Sequence, residues 1–165
     1  MSACVGYLRD VRAWDRFGFG SRGNLIIYGD CLVFAAVRAP FVNSVFNIRE
    51  LVSESDRESR FANLAREQSG LAPDELAARS KQNWLVRTED VVRAALSTSR
   101  NSTGPASDDL VTLVLDAASL VGAPTEHTLM IHLRGRKTPR YPSVRGVWGD
   151  AENRLLGAAL GDALQ

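Results

Sequence analysis

The stretch Asn24–Val37, Asn-Leu-Ile-Ile-Tyr-Gly-Asp-Cys-Leu-Val-Phe-Ala-Ala-Val, constrains this chain more than any other. Two β-rich runs, Leu25–Tyr28 and Cys31–Val37, are separated only by Gly29-Asp30. That is the pattern of a tight hairpin, in which Gly29 is expected to supply the positive φ of a two-residue primed turn. The pairing is local, so little loop-closure entropy opposes it. The remaining elements are expected to fold onto this hairpin.

The flanking sequence alternates between strand and helix signals. Val5–Arg12 opens the chain as a strand that can run to about Phe19, and Gly18, Gly20 and Gly23 with Ser21 are expected to form a turn region. The glycine-rich Phe17–Gly23 lacks the Gly-Lys-Ser/Thr of a phosphate-binding loop and precedes a strand, so it reads as a turn. After Val37 the period changes. Pro40 suits a first helical turn, and Phe41, Val45, Ile48 and Val52 recur at helical spacing. Ser55 with Glu58 matches a capping box ahead of a second helix that carries Phe61, Leu64 and Ala65 inward and ends near Gly70. Pro73 starts a third, short helix to about Arg79, so 40–81 reads as a helical insertion between strands.

From Trp84 the strand signal returns. Trp84–Arg87 is a short strand and Thr88-Glu89-Asp90 a bend. Val91–Thr98 reads as the next strand, with an amphipathic helix over Thr88–Leu96 as its competitor. Ser97–Asp109 is a polar loop. Leu110–Ala117 and His127–Leu133 are expected strands, and a short one is expected near Arg140–Tyr141. Asp150 is a suitable N-cap for a final helix to about Leu164, striped by Leu156, Ala159, Leu160 and Ala163. No linker long enough to divide the chain appears, so 1–165 is expected to form one domain of α+β class. An antiparallel sheet, or a partly open barrel, would carry the insertion and a C-terminal capping helix.

This pattern resembles bacterial pleckstrin-homology-like (PH-like) domains. Gly23–Phe34 looks like their early hairpin, and Trp84–Leu96 looks like a strand, short polar turn and strand of the same fold. Asp150–Leu164 would be the capping helix. The insertion at 40–81 departs from a minimal PH fold. The resemblance implies a scaffold for protein, peptide or lipid-headgroup binding and no activity of its own.

The chemistry-bearing residues agree with a noncatalytic reading. Hydrophobic residues make up 45% and charged residues 24% of the chain, as in ordinary globular proteins, and the formal charge of +1 leaves any electrostatic function to local clusters. Cys31 sits in an apolar run and reads as a small buried hydrophobe. No signal peptide is visible, and no window approaches the ~20 apolar residues that span a bilayer, so a cytoplasmic location without a transmembrane segment is expected. His127 and His132, the only histidines, are five apart and fall on opposite faces of a strand, which does not suit a shared metal. No cofactor is expected. A small hydrolase, with a Ser or Cys activated by one of these histidines, is the third-ranked reading, since no Gly-x-Ser-x-Gly elbow is present.

Two surfaces stand out for binding. The run 134–145 carries Arg134, Arg136, Lys137, Arg140 and Arg145 with no acid among them, and Tyr141 with nearby Trp148 offers flat amphipathic faces. Such a segment suits an anionic lipid headgroup or a nucleic acid, or else an acidic protein. The insertion carries Glu50, Glu54, Asp56 and Glu58, complementary to that run, which would support self-association. The leading expectation is a module that recruits or scaffolds a protein partner, with anionic-ligand binding second.

Overall fold

The computed structural model describes residues 3–14, 20–37, 54–98, 125–135 and 142–165. Their strands are β1 (Cys4–Trp14), β2 (Gly20–Tyr28), β3 (Cys31–Ala36), β4 (Trp84–Arg87), β5 (Val91–Thr98), β6 (Thr125–Leu133) and β7 (Ser143–Trp148). The helices are α1 (Glu54–Ser69), α2 (Pro73–Ala78) and α3 (Asp150–Leu160). All strand pairs are antiparallel and run in the order β4-β3-β2-β1-β7-β6-β5, one sheet curled into a half-barrel. With its C-terminal helix this is an α+β fold, compatible with the PH-like arrangement. The expected first helix of the insertion (40–52) and the expected strands at 110–117 and near 140–141 lie outside the described residues, as does Glu50.

The hairpin forms as the alternation requires. Leu25, Ile27, Leu32 and Phe34 face the inner core with Leu8, Val11, Leu129, Ile131, Val144, Leu156 and Leu160. Ile26, Tyr28, Cys31, Val33 and Ala35 face outward and are buried too, with Leu76 of α2. Successive residues of a strand point to opposite faces, so only a strand covered on both sides is apolar throughout. The covers are α3 inside and α1 with α2 outside. Asn83 fastens the outer cover by accepting the Ala36 N–H at 2.8 Å and donating to the Leu76 carbonyl at 2.7 Å.

Several local expectations are corrected. Neither Gly29 nor Asp30 has a positive φ, so the hairpin turn is not a primed one. It is braced from outside, because the Thr88 backbone N–H and hydroxyl both donate to the Asp30 carbonyl, at 2.9 and 3.0 Å. Gly20 and Gly23 lie within β2 and not in a turn. A Cβ on Gly23 would stand 2.2 Å from the Ala35 carbonyl oxygen, so the glycine permits close strand approach. α1 starts at Glu54, which puts Ser55 inside the first turn and not at its cap. In α3 the N-cap is Gly149, whose N–H donates to Glu152 Oε2 at 3.0 Å, and Asp150 is the first helical residue. That helix stops at Leu160 because Gly161 turns the chain at φ +53°. Gln165 then reaches the edge of β5, its N–H donating to the Ala94 carbonyl at 2.8 Å and its carbonyl accepting the Leu96 N–H at 3.0 Å. Val91–Thr98 is a strand, which decides against the competing helix.

Candidate binding groove

A one-residue irregularity in β1 sets up a polar groove on the described surface. The β1–β2 register shifts between Leu8 and Val11, and Asp10 there adopts φ +49°. Asp tolerates this left-handed geometry better than most residues. In a regular strand Arg9 and Arg12 would point to opposite faces. The bulge absorbs one residue, so Leu8 and Val11 are both buried inside while Arg9 and Arg12 are both exposed on the outer face.

Register then adds two more arginines. Arg12 stands opposite Arg22 of β2 and opposite Arg145 of β7, which makes a row of three cations across adjacent strands. Like charges directly opposite repel, and the outer two are neutralised. Asp10 holds Arg22 in a fork at 2.8 and 3.0 Å and approaches Arg57 Nε of α1 at 3.4 Å. Glu126 of β6 holds Arg145 through two 2.9 Å contacts. Arg9 and Arg12 make no ion pair among the described residues.

Asn24, fully buried, ties the bulge to the helix above it. Its Oδ1 accepts the Asp10 N–H at 3.1 Å, and its Nδ2 donates to the Phe61 carbonyl at 3.2 Å and to Gln68 Oε1 at 3.0 Å. The Arg22 guanidinium lies 6.0 Å from the centre of the Phe61 ring, within cation–π range. The result is a groove of about 840 Å3. Its floor is β1 and β7, and its walls are α1 (Arg57, Glu58, Phe61) and the start of α3 (Gly149, Glu152). A Cβ on Gly146 of β7 would meet Val11 Cγ1 at 2.8 Å, so this floor position accepts only glycine without rearrangement.

The residues singled out from the sequence are dispersed. Arg145 belongs to the groove row. Arg134 is exposed in the turn after β6, six residues along that strand from Thr128, the partner of Arg145, and therefore roughly 20 Å away. Arg136, Lys137, Arg140 and Tyr141 lie outside the described residues. Trp148 lines the groove but is buried, with no open flat face. It stacks on His127 at 5.2 Å and donates from Nε1 to Asn153 Oδ1 at 2.8 Å. Asp56 and Glu58 are exposed on α1, Glu54 opens that helix, and Glu58 faces the groove. Asp10, Arg12, Arg22 and Arg57 were not expected. Arg9 and Arg12 carried a signal only to a reader who placed a bulge at Asp10.

A second hollow, about 660 Å3, lies beside Cys4, Tyr28 and Leu71. Burial pushes the Tyr28 hydroxyl up to about 12, and that hydroxyl donates to the Leu71 carbonyl at 2.9 Å. Burial likewise raises the Cys4 thiol and takes Cys31 up to about 12, with the Asp30 hydrogen bond adding to the latter. Neither thiol is prepared as a nucleophile. Among the described residues no group of three His, Cys, Asp or Glu is placed to hold a metal, and no helix is long and apolar enough to cross a membrane. Comparison with protein-family models, curated proteins and solved structures gives no match.

Proposed function

We propose that this chain is a PH-like, noncatalytic binding module that holds an acidic segment of a protein partner in the groove between α1 and the β1–β7 floor. The observation that carries this reading is Arg12, an exposed cation without an ion pair among the described residues, flanked by two arginines that already have carboxylates. An incoming carboxylate would relieve the remaining repulsion in the row and gain a charge-assisted hydrogen bond.

The mixed lining favours a protein segment over a polyanion. Five arginines (Arg9, Arg12, Arg22, Arg57, Arg145) share the groove with four carboxylates (Asp10, Glu58, Glu126, Glu152). A nucleic acid backbone or anionic membrane would bring continuous negative charge against those carboxylates, whereas a peptide can place its acids only where the cations stand. Recession below α1 also suits a narrow chain better than a flat bilayer. The same module bound to lipid or nucleic acid through 134–145 is the second reading.

The experiment compares a fluorescent Glu-rich peptide, anionic vesicles and a single-stranded oligonucleotide, each titrated at graded salt. The expected result is peptide binding lost in Arg12→Glu, with weak capture of the other two. Binding of vesicles or oligonucleotide alone, unaffected by Arg12→Glu, would overturn it.

A further inference from the structure

The sheet is split beside the arginine row. β1 pairs with β2 along its length from Cys4 to Trp14, yet its ladder with β7 holds only three pairs: Arg12 with Arg145, Ala13 with Val144 and Trp14 with Ser143. From Val11 back to Cys4, no described strand pairs with β1 on the β7 side. The cause is visible in β1 itself. A bulge bends its strand and increases the local twist, and the bulge at Asp10 lies just beyond the last β1–β7 pair. β7 meanwhile continues through Gly146 and Val147 toward α3, paired on its other side with β6. The two strands diverge, and the groove occupies the opening.

We infer that the partner segment enters this opening as an added β-strand on the edge of β1 at Gly6–Arg9 that no described strand pairs, with its acidic side chains on Arg9 and Arg12. This rests on the acidic-segment reading above and adds the backbone to it. In an antiparallel strand every second residue directs its N–H and C=O away from its neighbour, so the length of β1 that no described strand pairs on this side presents such groups to the opening, the Gly6 carbonyl accepting the Cys4 thiol at 3.4 Å. An extended chain satisfies them with main-chain hydrogen bonds, the mode by which exposed sheet edges capture peptides. Such a chain repeats its side chains on one face every ~7 Å. Acids at alternate positions therefore fall on the outer face, where the bulge has put both Arg9 and Arg12. Exposed Val147, on the far side of the opening, offers an apolar contact to the same chain. The partner class is thus a protein segment of strand-forming residues alternating with Asp or Glu.

The test uses the full chain and four labelled peptides of ten residues: five Glu-Thr repeats, the same sequence N-methylated at every Thr, a version N-methylated at every Glu, and a block peptide of five Glu followed by five Thr. The alternating peptide is expected to bind, one methylated version and the block peptide to bind at least about tenfold more weakly, and Arg12→Ala to lower affinity about tenfold. Amide exchange at 6–9 should slow on adding the alternating peptide. If both methylated versions bind like the parent while Arg12→Ala still weakens them, strand addition is overturned and the acidic-segment reading stands. If no peptide binds, both fall. Slow exchange, before any peptide is added, at those of residues 6–9 whose N–H points away from β2 would show the edge already occupied by this chain and would also overturn the inference. Arg12 is exposed, so Arg12→Ala should retain the parent melting temperature.

Discussion

The two halves of the sheet carry different outer faces on one continuous backbone. Across β2 and β3 that face is Ile26, Tyr28, Val33 and Ala35, all buried beneath α1 and α2. Across β6 and β7 it is Glu126, Thr128, Met130, His132, Arg145 and Val147, half-exposed or exposed. The inner faces are alike, since both halves feed the same core around Leu129, Val144 and Phe34. Among the described residues the difference lies in α1 and α2, which pack on β1–β4 and roof that half. The candidate groove arises at the boundary of that roof, where β1 is still tied to α1 but has parted from β7.

Substitutions on the two halves should separate them, and the largest effect is expected under the roof. Ile26→Ala should lower unfolding free energy by about 2–5 kcal/mol, while Met130→Ala on the open half should stay within about 0.5 kcal/mol. Urea titration of both variants checks this, and equal losses would erase the distinction. Next comes the boundary. Asn24→Ala leaves the Asp10 N–H and the Phe61 carbonyl without their buried partner, which should cost about 1–3 kcal/mol. Amide exchange in α1 should speed up relative to β6 in the same variant.

Asp10→Asn is smaller still. It keeps a side chain that tolerates the left-handed φ but releases Arg22 and Arg57, partly exposed pairs worth under about 1 kcal/mol. The same change removes one negative charge from the groove, so an acidic peptide should bind more tightly even as the melting temperature falls slightly. Opposite signs in calorimetry and peptide titration are the expected signature.

The last contrast turns on pH. Cys31 and Tyr28 under the roof hold their protons to about 12 when folded, whereas the free thiol and phenol release theirs near 9 and 10. Between those values the unfolded chain binds fewer protons, so stability should fall as pH rises from about 9 toward 12. By pH 10 the unfolded thiol has titrated almost fully and the unfolded phenol about half, so the thiol supplies most of the decline. Melting temperatures measured from pH 8 to 10 should decline, and Cys31→Ala should flatten the decline.

Much of this architecture was legible before any coordinates. The runs on either side of Gly29-Asp30 pair as expected, because alternating apolar residues and a two-residue connection are short-range signals. Leu156 and Leu160 face the core from the final helix for the same reason. The misjudged details were those that another element decides. Gly23 looked like a turn residue, yet its role depends on Ala35 of the neighbouring strand. Gly29 looked like the source of a left-handed turn, yet Thr88 supplies the bracing. The groove was the least legible part, since a reading by strict alternation puts Arg9 and Arg12 on opposite faces.

Residue spacing, β-branched content and turn composition decided that this chain would make a hairpin, four further strands seen here as β1 and β4–β6, and helices that cover them. Those signals act over a few residues and survive in isolation. Which arginines stand together was decided only by tertiary structure, because residues 12, 22 and 145 become neighbours through strand register and no local preference links them. The bulge at Asp10 belongs to the same class. Its left-handed backbone is held by Arg22, Asn24 and Arg57, partners that the fold alone delivers.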